Sequence, residues 1–308
     1  MEYTLGARVH QNIRARYTTI DQEPYIDDII AKWGAEIPPT RAKSRVTPLT
    51  ESVYLSISGE GGDTSEAPHW TAKCLQLGGK LNYLAVFTRP DISAALSMCM
   101  SHVSHATKAL YDALLHITSY VQQTKHYHLR YGAGMDTELR RHLLHHAKEL
   151  HLDPWGDGDV VWMADASQGG EKPMQCNIGF IGGAPFSWKV GKMPWTTLSA
   201  CEGEWFAQSA ATAVIMSVKP IIHFMHIKAK FPIISFCDNE TAVKISNADY
   251  TVKRMKHVLT RMAYLNEAIK DGLVTLMHVS TSGNIADVGT KLLKPAQFHQ
   301  LRQFLLRG

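Results

Sequence analysis

The chain has 308 residues, of which 45% are hydrophobic and 19% charged, with a net charge of +4. That is enough for two modest domains with their own cores, and the balance is ordinary for a soluble globular protein. Five scattered cysteines (Cys74, Cys99, Cys176, Cys201 and Cys237) exclude a disulfide framework and a CxxC metal knuckle, while the mild positive charge permits a polyanionic partner without requiring one.

The N-terminus, MEYTLGARVHQ, lacks the charged start and apolar stretch of a signal peptide, and no uninterrupted apolar run reaches the roughly 18 residues that span a bilayer. The expectation is an intracellular protein, cytoplasmic or nuclear, with reduced thiols and no membrane partner. Residues 3–20 alternate loosely and predict a hairpin carrying Arg8, Arg14 and Arg16. EPYIDDIIAKWG comes next, and its Tyr25-Ile26-Asp27-Asp28 spells the tetrapeptide of a reverse transcriptase polymerase site. Its periodicity predicts something else. Asp21 suits an N-terminal cap, Pro24 a first turn and Gly34 a stop, and Ile26, Ile29, Ile30 and Trp33 share one helical face. Asp27 and Asp28 then belong to the polar side of an amphipathic helix.

Residues 35–68 are loop-like, with SGEGGDTSEAP as a linker. From 69 to about 130 the pattern is helical: TRPDISAALSMCM starts a helix at Pro90, and Leu110, Leu114, Ile117 and Val121 line another. A His-rich helix and the breaker DPWGDGD come next, which puts a domain boundary at 152/153. His142, His145 and His146 have the i, i+4 spacing of a zinc helix, but Leu143 stands where HExxH needs its Glu, so a polar linker helix is the reading. Beyond it the periods predict three strands (159–167, 175–183, 184–192), a long helix interrupted near Pro220, a strand (231–239), a short and a long helix, a strand (273–280) and a last helix, NIADVGTKL. Three antiparallel strands followed by two parallel ones is the expected sheet.

That order puts Asp165 and Asp238 at strand ends, Glu204 on the first long helix and Asp287 at the start of the last. Ligands gather at the carboxyl ends of strands in such sheets. Four converging carboxylates repel one another by several kcal/mol unless cations lie between them, and hard divalent ions with oxygen ligands fill that need. Two such ions about 4 Å apart activate a water and stabilise the leaving oxygen of a phosphodiester. Glu202 competes with Glu204, because two residues apart on a helix only one of them enters the site.

ADAS, LSACEGEWFAQ, FCDNETAV and NIADVGTKL, with FSWKVGKMPWTTLS between the first two, resemble the RNase H domain of copia-type LTR retrotransposon Pol polyproteins. LGGKLNYLAVFTRPDISAAL and HATKALYDALLHITSYVQQTKHYHLRYG resemble that family's connecting segment, and the N-terminal stretch resembles the segment just after its polymerase palm, so the likeness covers nearly the whole chain. It implies an α/β RNase H-like domain over 153–308, preceded over 1–152 by an α+β reverse transcriptase thumb and connection without palm or fingers, and no polymerase activity. It implies that Asp165, Glu204, Asp238 and Asp287 bind two Mg²⁺ ions, or Mn²⁺ in their place. Asp165 would bridge them, Asp238 would hold the ion that generates the nucleophile, and Glu204 and Asp287 would complete the shells. The EW step favours Glu204 over Glu202. The implied substrate is the RNA strand of an RNA–DNA hybrid, and the implied partners in a full-length element are the palm, fingers and integrase. The alternative is an inert retroelement remnant or interaction module.

Hybrid recognition that ignores sequence rests on phosphate and 2′-hydroxyl contacts. Lys244, Lys253, Arg254 and Lys256 form a basic stretch that suits phosphates, with a solvated helix face as the equal alternative; Asn239 is a candidate RNA contact and Trp195 a candidate stacking residue. Three departures from the family pattern stand out: Ser167 where many members carry a second acid, Glu240 in NETA, and STSGN where cellular RNases H place a mobile histidine, with His278 lying earlier.

Overall fold

The computed structural model describes residues 2–38, 46–58, 67–132, 134–147, 160–167, 172–227, 229–247 and 256–308. The chain divides into two compact units, one made of Met1–Arg130 with Leu292–Gly308 and the other of Tyr131–Lys291.

In the first unit β1 (Glu2–Thr4), β2 (Ala7–Asn12) and β3 (Tyr17–Asp21) form an antiparallel meander. β4 (Leu129–Gly132) completes the sheet in the order β1-β2-β3-β4 and leads out of the unit. The YIDD tetrapeptide lies in helix α1 (Glu23–Trp33), which buries Ile26, Ile29 and Trp33. Asp27 and Asp28 face solvent, and Asp27 accepts from Lys125 Nζ at 3.0 Å. The start differs slightly from expectation: Gln22 is the cap position, while Asp21 Oδ1 accepts from the Glu23 amide at 2.9 Å. Helices α2 (Glu51–Ser58), α3 (Ala67–Phe87), α4 (Ser93–Met100) and α5 (Lys108–Gln123) come after it. The TRPDI segment anchors them. Arg89 and Asp91, both buried, form a bidentate pair at 2.9 and 2.8 Å, and Arg89 also donates to Thr124 Oγ1 while Tyr120 Oη donates to Asp91. A buried ion pair is tolerated when its remaining donors and acceptors are satisfied in this way.

The second unit begins with α6 (Met135–His146) and holds β5 (Val160–Ala166), β6 (Met174–Ile181), β7 (Ala184–Lys192), α7 (Ala200–Phe224), β8 (Ile233–Cys237), α8 (Glu240–Asn247), α9 (Lys256–Lys270) and β9 (Val274–His278). Its sheet has the order β7-β6-β5-β8-β9, antiparallel across the first three strands and parallel across the last three. This is the mixed sheet expected from the strand and helix order. β5 is its centre, and all seven residues are buried, which explains an apolar run without alternation. Gly182 and Gly183 turn β6 into β7 with φ of +53° and +78°. α7 packs its Trp205, Phe206, Ala207, Ala211 and Ile215 with Trp162, Ile233 and Leu276 into one core.

Three features read differently in the structure. First, the boundary expected at 152/153 falls outside the described residues, while the compact units divide at 130/131 and 291/292. α6 belongs to the second unit because His142 Nε2 meets Gly283 O and His146 Nδ1 meets Ser280 Oγ, both at 2.8 Å. The last residues return to the first unit, where His128 and Arg307 exchange backbone hydrogen bonds at 2.8 and 2.9 Å, with helix α10 (Pro295–Arg302) beside them in sequence. Second, α7 runs through Pro220. Pro220 and Met216, four residues before it, are both exposed, so water can serve the carbonyl that the missing N–H leaves. Third, the expected last helix NIADVGTKL is only a 3₁₀ segment, Ile285–Gly289. α7 is also long and apolar enough, by length and composition, to cross a membrane, although no single apolar run in the sequence is; half of that apolar window is buried inside the protein.

Candidate active site

Register alone brings two of the acids together. β5 and β8 are parallel with Met163 opposite Phe236, so Asp165 near the end of β5 and Asp238 just past the end of β8, each two residues further on, come out level on neighbouring strands. Adjacent strands lie about 4.8 Å apart. Glu204 arrives from the first turns of α7. Ser199 caps that helix by accepting from the Glu202 amide at 3.1 Å. One carboxylate oxygen from each of Asp165, Glu204 and Asp238 lies within 4.8 Å of the other two. Among the described residues this is the one group of three or more His, Cys, Asp or Glu with the spacing to hold a metal ion.

Asp287 approaches through the 3₁₀ segment. Asn284 caps that segment by accepting from the Ala286 amide at 3.2 Å, and its own amide nitrogen reaches Ala164 O at 3.4 Å and Asp165 Oδ1 at 3.5 Å. One turn later Lys291 Nζ lies 2.7 Å from Asp287 Oδ1 and 3.3 Å from Asp165 Oδ1. Thr290 Oγ1 donates to Asp165 Oδ2. The second oxygen of Asp287 is buried and has no hydrogen-bond partner.

Charge crowding without full compensation shows in the proton affinities. Burial raises the Asp165 carboxyl above its ordinary value, against the pull of Lys291 and with the help of Asp238. Glu204 is raised well above the usual range by burial, then by Asp165 and Asp238. Asp287 is raised to about 7, first by burial and then by Asp165, with Lys291 opposing. Glu204 is held by the Ala166 amide at 3.2 Å and by the Cys237 thiol at 3.4 Å, a thiol that burial keeps protonated. Buried, raised carboxyls clustered at strand ends make this a candidate functional site.

Glu202 has a different job. Its Oε2 accepts from the Leu198 amide at 2.7 Å, which closes the start of α7 in the manner of a capping box. Glu202→Ala is expected to cost about 1 kcal/mol of stability and to leave any activity of the four-acid site within a few-fold of the unsubstituted chain. Thermal melts beside a cleavage assay check both halves.

Of Asn239 and the expected basic stretch, only Asn239 and Lys244 have described side chains. Asn239 uses Oδ1 to accept from the Ala242 amide at 3.0 Å and so starts α8. Lys244 is exposed and pairs with Glu240 at 2.6 Å. Lys253 and Arg254 lie outside the described residues, and Lys256 opens α9 with its side chain also outside them. In the first unit Arg8 is held by Asp21 at 2.9 Å and by Glu23. Ser167 closes the β5–β6 hairpin, exchanging hydrogen bonds with the Met174 backbone at 2.9 Å each way. His278 ends β9 opposite Cys237.

A cationic feature that the sequence did not single out lies elsewhere on the second unit. A groove of about 510 Å³ is lined by Lys189, Lys192, Trp195, Phe206 and Arg261, with no acid among the described residues of its wall. Arg261 stacks on Trp195 at 4.8 Å, and Trp195 is 41% exposed. β7 runs parallel to β5 with β6 between them, so Lys192 lies at the same sheet end as Asp165, two strands or roughly 10 Å away.

No family model matches the chain. The chain is 24% identical over 307 residues to the retrovirus-related Pol polyprotein from transposon TNT 1-94 of Nicotiana tabacum, which covers 98% of this chain and 21% of that polyprotein. It is 26% identical over 281 residues to the Pol polyprotein from transposon RE1 of Arabidopsis thaliana, covering 91% of this chain and 17% of that one. The chain therefore spans about a fifth of the length of the polyproteins it matches. Among solved structures, RNase H1 of Halobacterium salinarum aligns with 43% of this chain and 95% of its own, at 16% identity and a TM-score of 0.34.

Proposed function

We propose that the chain is the C-terminal part of a retrotransposon Pol polyprotein, and that its second unit is an RNase H-type endonuclease cutting the RNA strand of RNA–DNA hybrids with two divalent ions. The observation that carries this reading is the meeting of Asp165, Glu204 and Asp238 within 4.8 Å, with Asp287 joined to Asp165 through Lys291. Similarity to Pol polyproteins along almost the whole chain supports it. The first unit then corresponds to the thumb and connection of a reverse transcriptase.

The donor set fits hard divalent ions. It is carboxylate oxygen throughout, it is crowded enough to raise three proton affinities, and one buried oxygen of Asp287 lacks a partner. Asp165, Glu204 and Asp238 would hold one Mg²⁺ and Asp165 with Asp287 the other. The chemistry such ions supply is Lewis-acidic: an activated water and a stabilised leaving oxygen.

The protein's own contribution is placement. The Ala166 amide and Cys237 thiol fix the Glu204 carboxyl, and Thr290 fixes Asp165. The groove bearing Lys189, Lys192 and Arg261 is the surface on this unit best suited to the hybrid's phosphates, with Trp195 as a face for a base or sugar. Contacts of this kind ignore sequence, as an enzyme acting along a whole hybrid requires.

The test is a labelled RNA–DNA hybrid incubated with the full chain and Mg²⁺, then Mn²⁺. The expected result is internal cuts in the RNA strand leaving 3′-hydroxyl and 5′-phosphate ends, with the DNA strand intact and no cutting by Asp238→Asn. A silent wild-type chain would leave the alternative, an inert remnant, in its place.

A further inference from the structure

The Asp165–Asp287 half of the site already contains a cation. Lys291 Nζ sits 3.3 Å from Asp165 Oδ1 and 2.7 Å from Asp287 Oδ1, so it occupies the space between the two carboxylates that an ion bound through these oxygens would take. Both carboxylates are about 1% exposed, and Lys291 is 33% exposed, so its stem leads outward while its head is held inside. Among the described residues no lysine contact is seen on the other half, Glu204 with Asp238: Glu204 is held by a neutral amide and a thiol. The two halves thus differ in a way that carboxylate count does not predict. The cause is local. Asp287 and Lys291 are four residues apart across one helical turn, and Thr290 next to Lys291 is committed to Asp165, which pins the backbone that aims the lysine.

We propose that Lys291 is the resident counter-cation of the Asp165–Asp287 pair, and that a divalent ion binds there only by displacing its ammonium. This rests on the two-ion reading above. Lys291 is then a positioning residue: it keeps the two carboxylates converged while no metal is bound, and it weakens the second ion relative to the first. An ammonium and a divalent ion cannot share one oxygen pair without strong repulsion at low dielectric. Removing the ammonium lowers the metal-free stability of the site and raises its metal affinity together, whereas a lysine that merely braced the fold would lower both.

Calorimetric titration of Mn²⁺ into the 308-residue chain tests this. The wild-type chain is expected to show a tighter and a weaker site, and Lys291→Met to bind its weaker ion roughly tenfold more tightly, with Lys291→Arg close to wild type. In EDTA, Lys291→Met is expected to melt below the wild type and to gain more from added Mn²⁺. A second measurement reads the wild-type protein and does not depend on Lys291→Met folding. In wild-type protein labelled with ¹⁵N-lysine, the held Lys291 ammonium signal, identified by its loss in Lys291→Arg, is expected to shift or vanish with occupation of the weaker site by Mg²⁺. Saturable binding of two ions with unchanged or weakened affinity in Lys291→Met, or an ammonium signal unmoved through Mg²⁺ saturation, overturns the proposal alone. No saturable ion binding to either protein overturns the two-ion reading and this proposal with it.

Discussion

Glu204→Gln is expected to abolish hybrid cleavage, by about a thousandfold or more, and at the same time to raise the melting temperature in EDTA at pH 8. The two effects have one cause. Glu204 is 4% exposed and faces Asp165 and Asp238, so its ionised form is costly and its proton affinity is raised well above normal. Glutamine removes the charge and keeps the shape. Its Oε1 still accepts from the Ala166 amide, while its Nε2 takes the place of the oxygen that accepted from the Cys237 thiol and becomes a donor toward Asp165 and Asp238. Relief of one like-charge contact at this depth is worth about 1 kcal/mol, which for a unit of this size is about 2–4 °C. Function is lost because a neutral amide is a poor ligand for a hard cation. Such a trade of stability for charge crowding is what a site built for metal predicts. A Glu204→Gln chain that cuts hybrid within a few-fold of wild type, or that melts lower than wild type in EDTA, would contradict the assignment. Glu202→Ala, two residues away, should show the reverse pattern, because its carboxylate closes the helix start and not the site.

Much of this geometry was legible in the chain because each acid sits where an element changes. Strand-end aspartates at 165 and 238 become neighbours once β5 and β8 are parallel, and the helix between them dictates that orientation. YIDD was legible as helix because apolar residues at i, i+3 and i+7 outweigh a four-letter coincidence. What was not legible depends on contacts distant in sequence. The C-terminal residues pair with His128 through backbone hydrogen bonds, which leave no mark on side-chain periodicity. α6 looks like a linker helix until Gly283 and Ser280, more than 130 residues later, supply its partners. The cationic groove was missed because its charges, Lys189, Lys192 and Arg261, come from a strand and a helix that no local window joins. The basic run around residue 254 drew notice because it is contiguous, and Lys253 and Arg254 lie outside the described residues. Lys291 had a local sign, a lysine four residues after a site aspartate, but its second contact, to Asp165, is visible only in three dimensions.

The second large effect is an inverted dependence of stability on pH. Asp287 is raised to about 7 in the folded protein, by burial first and then by Asp165, against about 3.9 in an unfolded chain. A carboxyl raised on folding stabilises most when protonated in both states. Its contribution is complete below the unfolded value and is lost as pH rises through the folded one. Asp165 and Glu204 are raised in the same direction, and because the three acids share one field their contributions do not add. The metal-free protein is therefore expected to lose about 2–4 kcal/mol of second-unit stability between pH 5 and pH 8, with hydrogen exchange of the β5 amides as the local readout. Divalent ions need the deprotonated carboxylates and compete with these protons, so their apparent affinity climbs through the same window. The stabilisation by 10 mM Mg²⁺ over EDTA should accordingly be small at pH 5 and largest near pH 8 (roughly the mirror image of the metal-free loss). A metal-free chain whose β5 protection rises from pH 5 to 8, or a Mg²⁺ effect that is flat across that range, would contradict the proposed divalent-ion site at these carboxylates.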